Sequence, residues 1–190
     1  EGLHRFVDPA DDKVYLYTQF ETADAKRVFA CFDQPDMKSF FTLTLEVPST
    51  WQAVANSAIT QTDSTGVSGR NRISFKETEP LSTYLFSFVG GRFERVTENR
   101  NGRSISLYHR ETDLQKTAQC PEILGQVFHA LDWLETYTGV PYPFAKYDLI
   151  VIPGFQYGGM EHMGATLYAD RSMFLENNAT TENRMARGSL

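Results

Sequence analysis

Apolar and polar positions alternate through most of the first 110 residues, and that alternation predicts strands. The runs are Val14 to Phe20, Phe41 to Val47 (closed by Pro48), Trp51 to Ala55, Arg72 to Lys76, Tyr84 to Val89, Phe93 to Val96 and Ser104 to Tyr108. Turn chemistry separates them at Asp63-Ser64-Thr65-Gly66, Gly90-Gly91 and Asn101-Gly102, the last being a two-residue hairpin signal. One short helix, about Ala23 to Phe29, interrupts the strands. Many short strands at this spacing predict a sandwich or saddle-like sheet.

The period then changes. Ile123, Leu124, Val127, Phe128, Leu131, Leu134 and Tyr137 lie one, three or four positions apart and mark one face of a helix. Pro121 suits its first turn and Gly139 its C-terminal cap. Tyr147 to Ile152 is apolar enough for a buried strand. A glycine-rich stretch, Gly154 to Gly164, precedes a strand-like Ala165 to Ala169. Asn177 to Thr181 reads as a turn and N-cap, with Glu182 in the first turn of a helix running towards Leu190. These patterns divide the chain into a mostly β domain over 1–110 and an α+β segment over 111–190.

Composition narrows the function classes. The chain has 190 residues, is 41% hydrophobic and carries a net charge of −6. Its lysines and arginines are scattered, which disfavours nucleic-acid partners, since phosphate neutralisation needs clustered cations. No run approaches the roughly 18 apolar residues of a membrane helix. Cys31 and Cys120 form no metal-type pair or disulfide framework and are expected to be buried free thiols. His4, His109 and His129 show no metal-ligand spacing.

Two stretches carry candidate chemistry. Gly158-Gly159 lets a backbone run close beside another chain, because no Cβ intervenes. An edge strand there would hold a peptide by strand addition. Glu161 follows at once, and a carboxylate at the end of such a track would bind an α-ammonium group by a charge-assisted hydrogen bond. A second carboxylate, for which Glu21 in Thr18-Gln19-Phe20-Glu21 is the candidate, would strengthen that anchor. Taken singly, a Gly-Gly pair also reads as a turn, and a glutamate as a solvated surface residue.

Taken together, the segments resemble the M1 family of zinc aminopeptidases. Tyr17-Thr18-Gln19-Phe20-Glu21, continuing to Cys31-Phe32-Asp33-Gln34-Pro35, resembles the family's Thr-Gln-x-Glu segment and downstream Asp-x-Pro. Leu81-Ser82-Thr83-Tyr84-Leu85 resembles its Met-Ser-Thr-Tyr-Leu strand. Pro141-Tyr142-Pro143-Phe144, Lys146-Tyr147-Asp148-Leu149 and Ile152-Pro153 resemble the approach to its active site. Gly158-Gly159-Met160-Glu161-His162 resembles its Gly-x-Met-Glu-Asn exopeptidase motif. The matches follow the family's order along nearly the whole chain.

The resemblance implies an N-terminal β domain followed by the opening of a thermolysin-like catalytic domain. It implies that Glu161 binds the substrate's α-amino group, Glu21 assists, and Gln19 lines the first specificity pocket. Gly158 and Gly159 would hold the substrate main chain, with Met160 and His162 completing the motif. The implied partners are peptides with a free N-terminus, and the implied cofactor of the intact protein is zinc. Two departures stand out. His162 replaces the family's Asn, and the chain contains no His-Glu-x-x-His, the spacing that puts two imidazoles on one metal. The expectation is a piece of an aminopeptidase ending before the zinc motif, binding no zinc and inactive alone. Two other readings are a degenerate, non-catalytic M1-like scaffold and an unrelated β-sandwich binding module.

Overall fold

The structure is a computed structural model and describes residues 2–189. The outermost residues of the two expected spans, Glu1 and Leu190, lie outside the described residues. The chain folds into two compact units, residues 2–93 with Glu161–Ala165, and Glu94–Met160 with residues 166–189.

The first unit is built from strands β1 (Gly2–Val7), β2 (Val14–Gln19), β3 (Thr44–Pro48), β4 (Gln52–Ala55), β5 (Ile59–Ser64), β6 (Arg70–Phe75) and β7 (Phe88–Gly91). They form a four-stranded sheet in the order β1-β2-β7-β4 and a three-stranded sheet in the order β3-β6-β5. One apolar cluster joins the two sheets: Ala53 and Ala55 of the first meet Val47, Ile73 and Phe75 of the second. A second cluster is aromatic. Phe20, Phe29, Phe41 and Phe86 gather there, Phe41 and Phe86 stacking with ring centroids 4.4 Å apart.

The second unit starts with the hairpin of β8 (Glu94–Arg100) and β9 (Arg103–His109), ahead of the change in sequence pattern near residue 111. Asn101 and Gly102 turn it with φ of 50° and 76°, the positive pair that a tight hairpin demands. Helices α1 (Leu114–Thr117) and α2 (Cys120–Thr138) follow, then β10 (Tyr147–Ile152), β11 (Gly159–Met160), β12 (Ala165–Ala169), α3 (Asp170–Met173) and α4 (Thr181–Gly188). The sheet order is β11-β12-β10-β9-β8, with β9 and β10 parallel. The predicted face of α2 buries Ile123, Leu124, Phe128 and Leu131 against Ile105, Leu107, Leu149 and Val151. Gly139 ends the helix at φ 68°. The Thr180 hydroxyl accepts the Asn183 N–H, and the Asn183 side chain reaches back to the Thr180 N–H, so α4 opens on a capping box.

The observed elements are those of a mostly β N-terminal domain followed by an α+β opening, but several local expectations change. The predicted strand Tyr84 to Val89 is a 3-10 turn over Thr83–Leu85 followed by β7. Thr83 and Ser82 donate their hydroxyls to Asp33 Oδ1 and the Pro35 carbonyl. These side-chain bonds offer the backbone an alternative to a sheet ladder. Gly90-Gly91 is strand, not turn. The strand expected over Phe41 to Val47 starts only at Thr44, and the helix expected over Ala23 to Phe29 shrinks to a 3-10 turn at Ala25–Arg27. Strand β5 was not predicted: every side chain on it is exposed, so no apolar period marks it. Cys31 is half-buried rather than buried, whereas Cys120 is buried.

Candidate functional site

The first unit holds Gln19, Glu21, Glu161 and His162. Gln19 is the last residue of β2 and is buried. Its Oε1 accepts the Glu21 N–H at 3.0 Å, while its Nε2 meets no protein acceptor among the described residues. Phe20 is fully buried in the aromatic cluster, and Glu21, two residues beyond the end of β2, is exposed. A cis peptide joins Glu21 to Thr22.

Glu161 is also exposed, and the residue after it is not. His162 is fully buried, and neither ring nitrogen meets a protein partner among the described residues. Burial pushes its pKa down to about 3, so the ring is neutral across the ordinary range. The Asn-to-His departure therefore adds bulk next to Glu161 without adding positive charge. The segment closes as a turn: the Ala165 N–H donates to the His162 carbonyl at 3.1 Å, with Gly164 at φ 73°. Glutamates far apart in sequence thus lie exposed in the same compact unit, each beside a buried residue with unused hydrogen-bonding capacity.

Gly158, Gly159 and Met160 belong to the second unit. Strand β11 stands first in its sheet order and pairs antiparallel with β12, Gly159 opposite Tyr168. A Cβ on Gly159 would stand 3.2 Å from the Tyr168 ring, so the glycine permits that close approach. The Gly158 carbonyl accepts the Ala169 N–H at 3.0 Å, and Met160 is buried.

Zinc needs three or four nitrogen, sulfur or oxygen donors converging on one point. Among the described residues no three histidine, cysteine, aspartate or glutamate side chains converge in that way. No helix among the described residues is long and apolar enough to cross a membrane.

Sequence reasoning passed over one residue that the structure places beside the Glu161 turn. Asn56, just after β4, is buried and its Nδ2 donates to the Met163 carbonyl at 2.9 Å. A single polar residue after a strand carries no periodic signal, so nothing in the pattern points to it.

Comparison with known proteins accounts for these motifs. Residues 1–85 match the peptidase M1 N-terminal domain, and residues 123–188 match the peptidase family M1 domain. An aminopeptidase N of Streptomyces lividans is 36% identical over 177 residues, 92% of this chain and 20% of that protein. Aminopeptidase M1-A of Oryza sativa subsp. japonica is 36% identical over 187 residues, 96% of this chain and 21% of its own length. An aminopeptidase N of Acetobacter pasteurianus is 33% identical over 180 residues, 92% of this chain and 48% of that protein. The chain thus spans about a fifth of the first two relatives and about half of the third. With both family domains matched in order and motifs from each in place, the chain belongs to peptidase family M1.

Proposed function

We propose that this chain is the part of a zinc aminopeptidase that grips a peptide's free amino terminus, the intact protein removing N-terminal amino acids from peptides. Glu161 and Glu21 bind the α-ammonium, Gln19 lines the pocket for the first side chain, and Gly158 and Gly159 face the substrate main chain. Met160 anchors the short strand in its sheet, and His162 backs Glu161. The zinc ligands and the general base lie outside these residues, so the chain alone is inactive and binds no catalytic zinc. The observation that carries this reading is the exposure of Glu21 and Glu161 within one compact unit. Paired carboxylates favour a primary ammonium through charge-assisted hydrogen bonds that a blocked amine does not make.

The test is an NMR titration of the chain with leucinamide and with N-acetyl-leucinamide. Leucinamide is expected to shift resonances around Glu21 and Glu161, the acetylated compound is not, and Glu161→Gln is expected to remove the response. Equal responses to both compounds would sink the reading. In the same preparation, zinc plus leucine p-nitroanilide is expected to give no turnover, and turnover would overturn the inactivity. The replacement of the family's Asn by a buried His162 favours a second reading, a non-catalytic M1-like scaffold, which predicts no response to either compound.

A further inference from the structure

Asn56 uses its side-chain amide on two segments of the first unit, Leu85–Ser87 and the turn at Met163. Both hydrogens of Nδ2 are spent, on the Leu85 carbonyl and the Met163 carbonyl, each at 2.9 Å. Oδ1 accepts the Ser87 N–H at 2.7 Å. A carboxamide is the one short side chain with two donors and an acceptor in this arrangement. Aspartate keeps the shape and loses both donors.

The contacts continue beyond Asn56. Ser87 and Thr18 are both fully buried, and their hydroxyls lie 3.4 Å apart. The Phe88 N–H donates to Thr18 Oγ1 at 3.0 Å. Thr18 precedes Gln19, whose side chain accepts the Glu21 N–H. A polar strut, its hydrogen bonds joined through the Ser87 residue and the Thr18–Gln19 peptide link, therefore runs from the turn after Glu161, through Asn56 and Ser87, to the strand end that presents Glu21. Every member lies in the same compact unit. In a buried setting such a network has one satisfied geometry, because leaving any member unpaired is costly.

We infer that Asn56 is a positioning residue that holds the Glu161 turn in register with the Thr18–Glu21 segment and so fixes the pair of carboxylates for a primary ammonium. It touches neither substrate nor reacting atoms and acts through the Met163 carbonyl and the Ser87 amide. The inference rests on the reading of Glu161 and Glu21 as the amine anchor.

The test compares wild type, Asn56→Asp and Glu161→Gln by amide hydrogen exchange at Ala165 and by leucinamide affinity from NMR. For Asn56→Asp, faster exchange at Ala165, unchanged exchange in the β5–β6 hairpin, and about tenfold weaker leucinamide binding are expected. Glu161→Gln is expected to lose binding while Ala165 exchange stays as in wild type. Unchanged Ala165 protection in Asn56→Asp would overturn the inference, as would faster exchange with unchanged affinity, which would leave Asn56 a purely structural residue. A wild-type chain that does not bind leucinamide would remove the anchor itself, and the positioning role with it. If Asn56→Asp does not melt cooperatively, Thr18→Val cuts the same strut from its other end. It is expected to weaken leucinamide binding about tenfold, and unchanged affinity there would also overturn the inference.

Discussion

The carboxamide oxygen of Gln19 accepts the main-chain N–H of Glu21 at 3.0 Å, so the residue that ends β2 also fixes where the chain goes next. Gln19→Ala removes that acceptor and leaves a small space where the amide packed. The Glu21 N–H sits in an exposed segment and can turn to water, so the loss in stability should stay near the net worth of one hydrogen bond, about 0.5–1.5 kcal/mol. Urea unfolding checks that figure. Leucinamide affinity should fall by more than this stability change suggests, because Glu21 loses its local tether.

The neutral His162 predicts an acid-sensitive fold. Its folded pKa of about 3 lies well below the ordinary 6.5, so on acidification the unfolded chain takes up a proton that the folded chain refuses. Stability is unaffected above about pH 6.5 and falls as pH drops below it, by about 1.4 kcal/mol per unit, levelling near pH 3. His109, whose pKa burial also lowers, adds a loss of the same sign. His162→Asn should abolish the first contribution and keep the second. Between pH 7 and pH 4.5, the variant should lose about 2–3 kcal/mol less than wild type in urea titrations. Identical pH profiles would mean that His162 titrates normally and is open to water.

What could be read from the sequence divides along physical lines. Helix α2 has a clear period closed by Gly139, β10 and β12 are short buried runs bounded by glycine or proline, the Asn101-Gly102 hairpin has its turn signal, and each appears where the pattern puts it. Strand β5 exposes every side chain, so its pairing with β6 leaves no trace in hydropathy. The alternation at Tyr84, Phe86 and Phe88 is real, but it serves an aromatic cluster whose backbone is bent by Ser82 and Thr83. The candidate carboxylates were legible through a collinear set of motifs. The membership of Glu161–Ala165 in the first unit, and the part played there by Asn56, come from long-range contacts that no local window contains.

The two thiols should separate by reactivity. Burial raises both pKa values, with Asp33 adding to the effect at Cys31, so neither is an activated nucleophile. Cys31 is half-buried, whereas Cys120 is 1% exposed inside the α2 core. Iodoacetamide under native conditions should label Cys31 slowly and leave Cys120 untouched until urea unfolds the chain. Peptide mass mapping reads the outcome, and early modification of Cys120 would show that the N-terminal end of α2 opens without global unfolding.

The adjacent glycines of β7 should differ sharply in their tolerance of a methyl group. A Cβ on Gly91 would stand 2.5 Å from Cδ1 of Tyr15, and Tyr15 has nowhere to go: it is fully buried, packs on Phe93 and donates its hydroxyl to Asp11 at 2.9 Å. A Cβ on Gly90 would meet Cε3 of Trp51 at 3.3 Å, and that ring is only partly buried. Overpacking of a closed site costs about 1–3 kcal/mol, so Gly91→Ala should lower stability by that amount and Gly90→Ala by clearly less. If the Tyr15 ring is the cause, Gly91→Ala should cost less in a Tyr15→Leu background. A double-mutant cycle by urea unfolding measures the coupling directly. Additive effects would place the strain in the β7 backbone rather than in the contact with Tyr15.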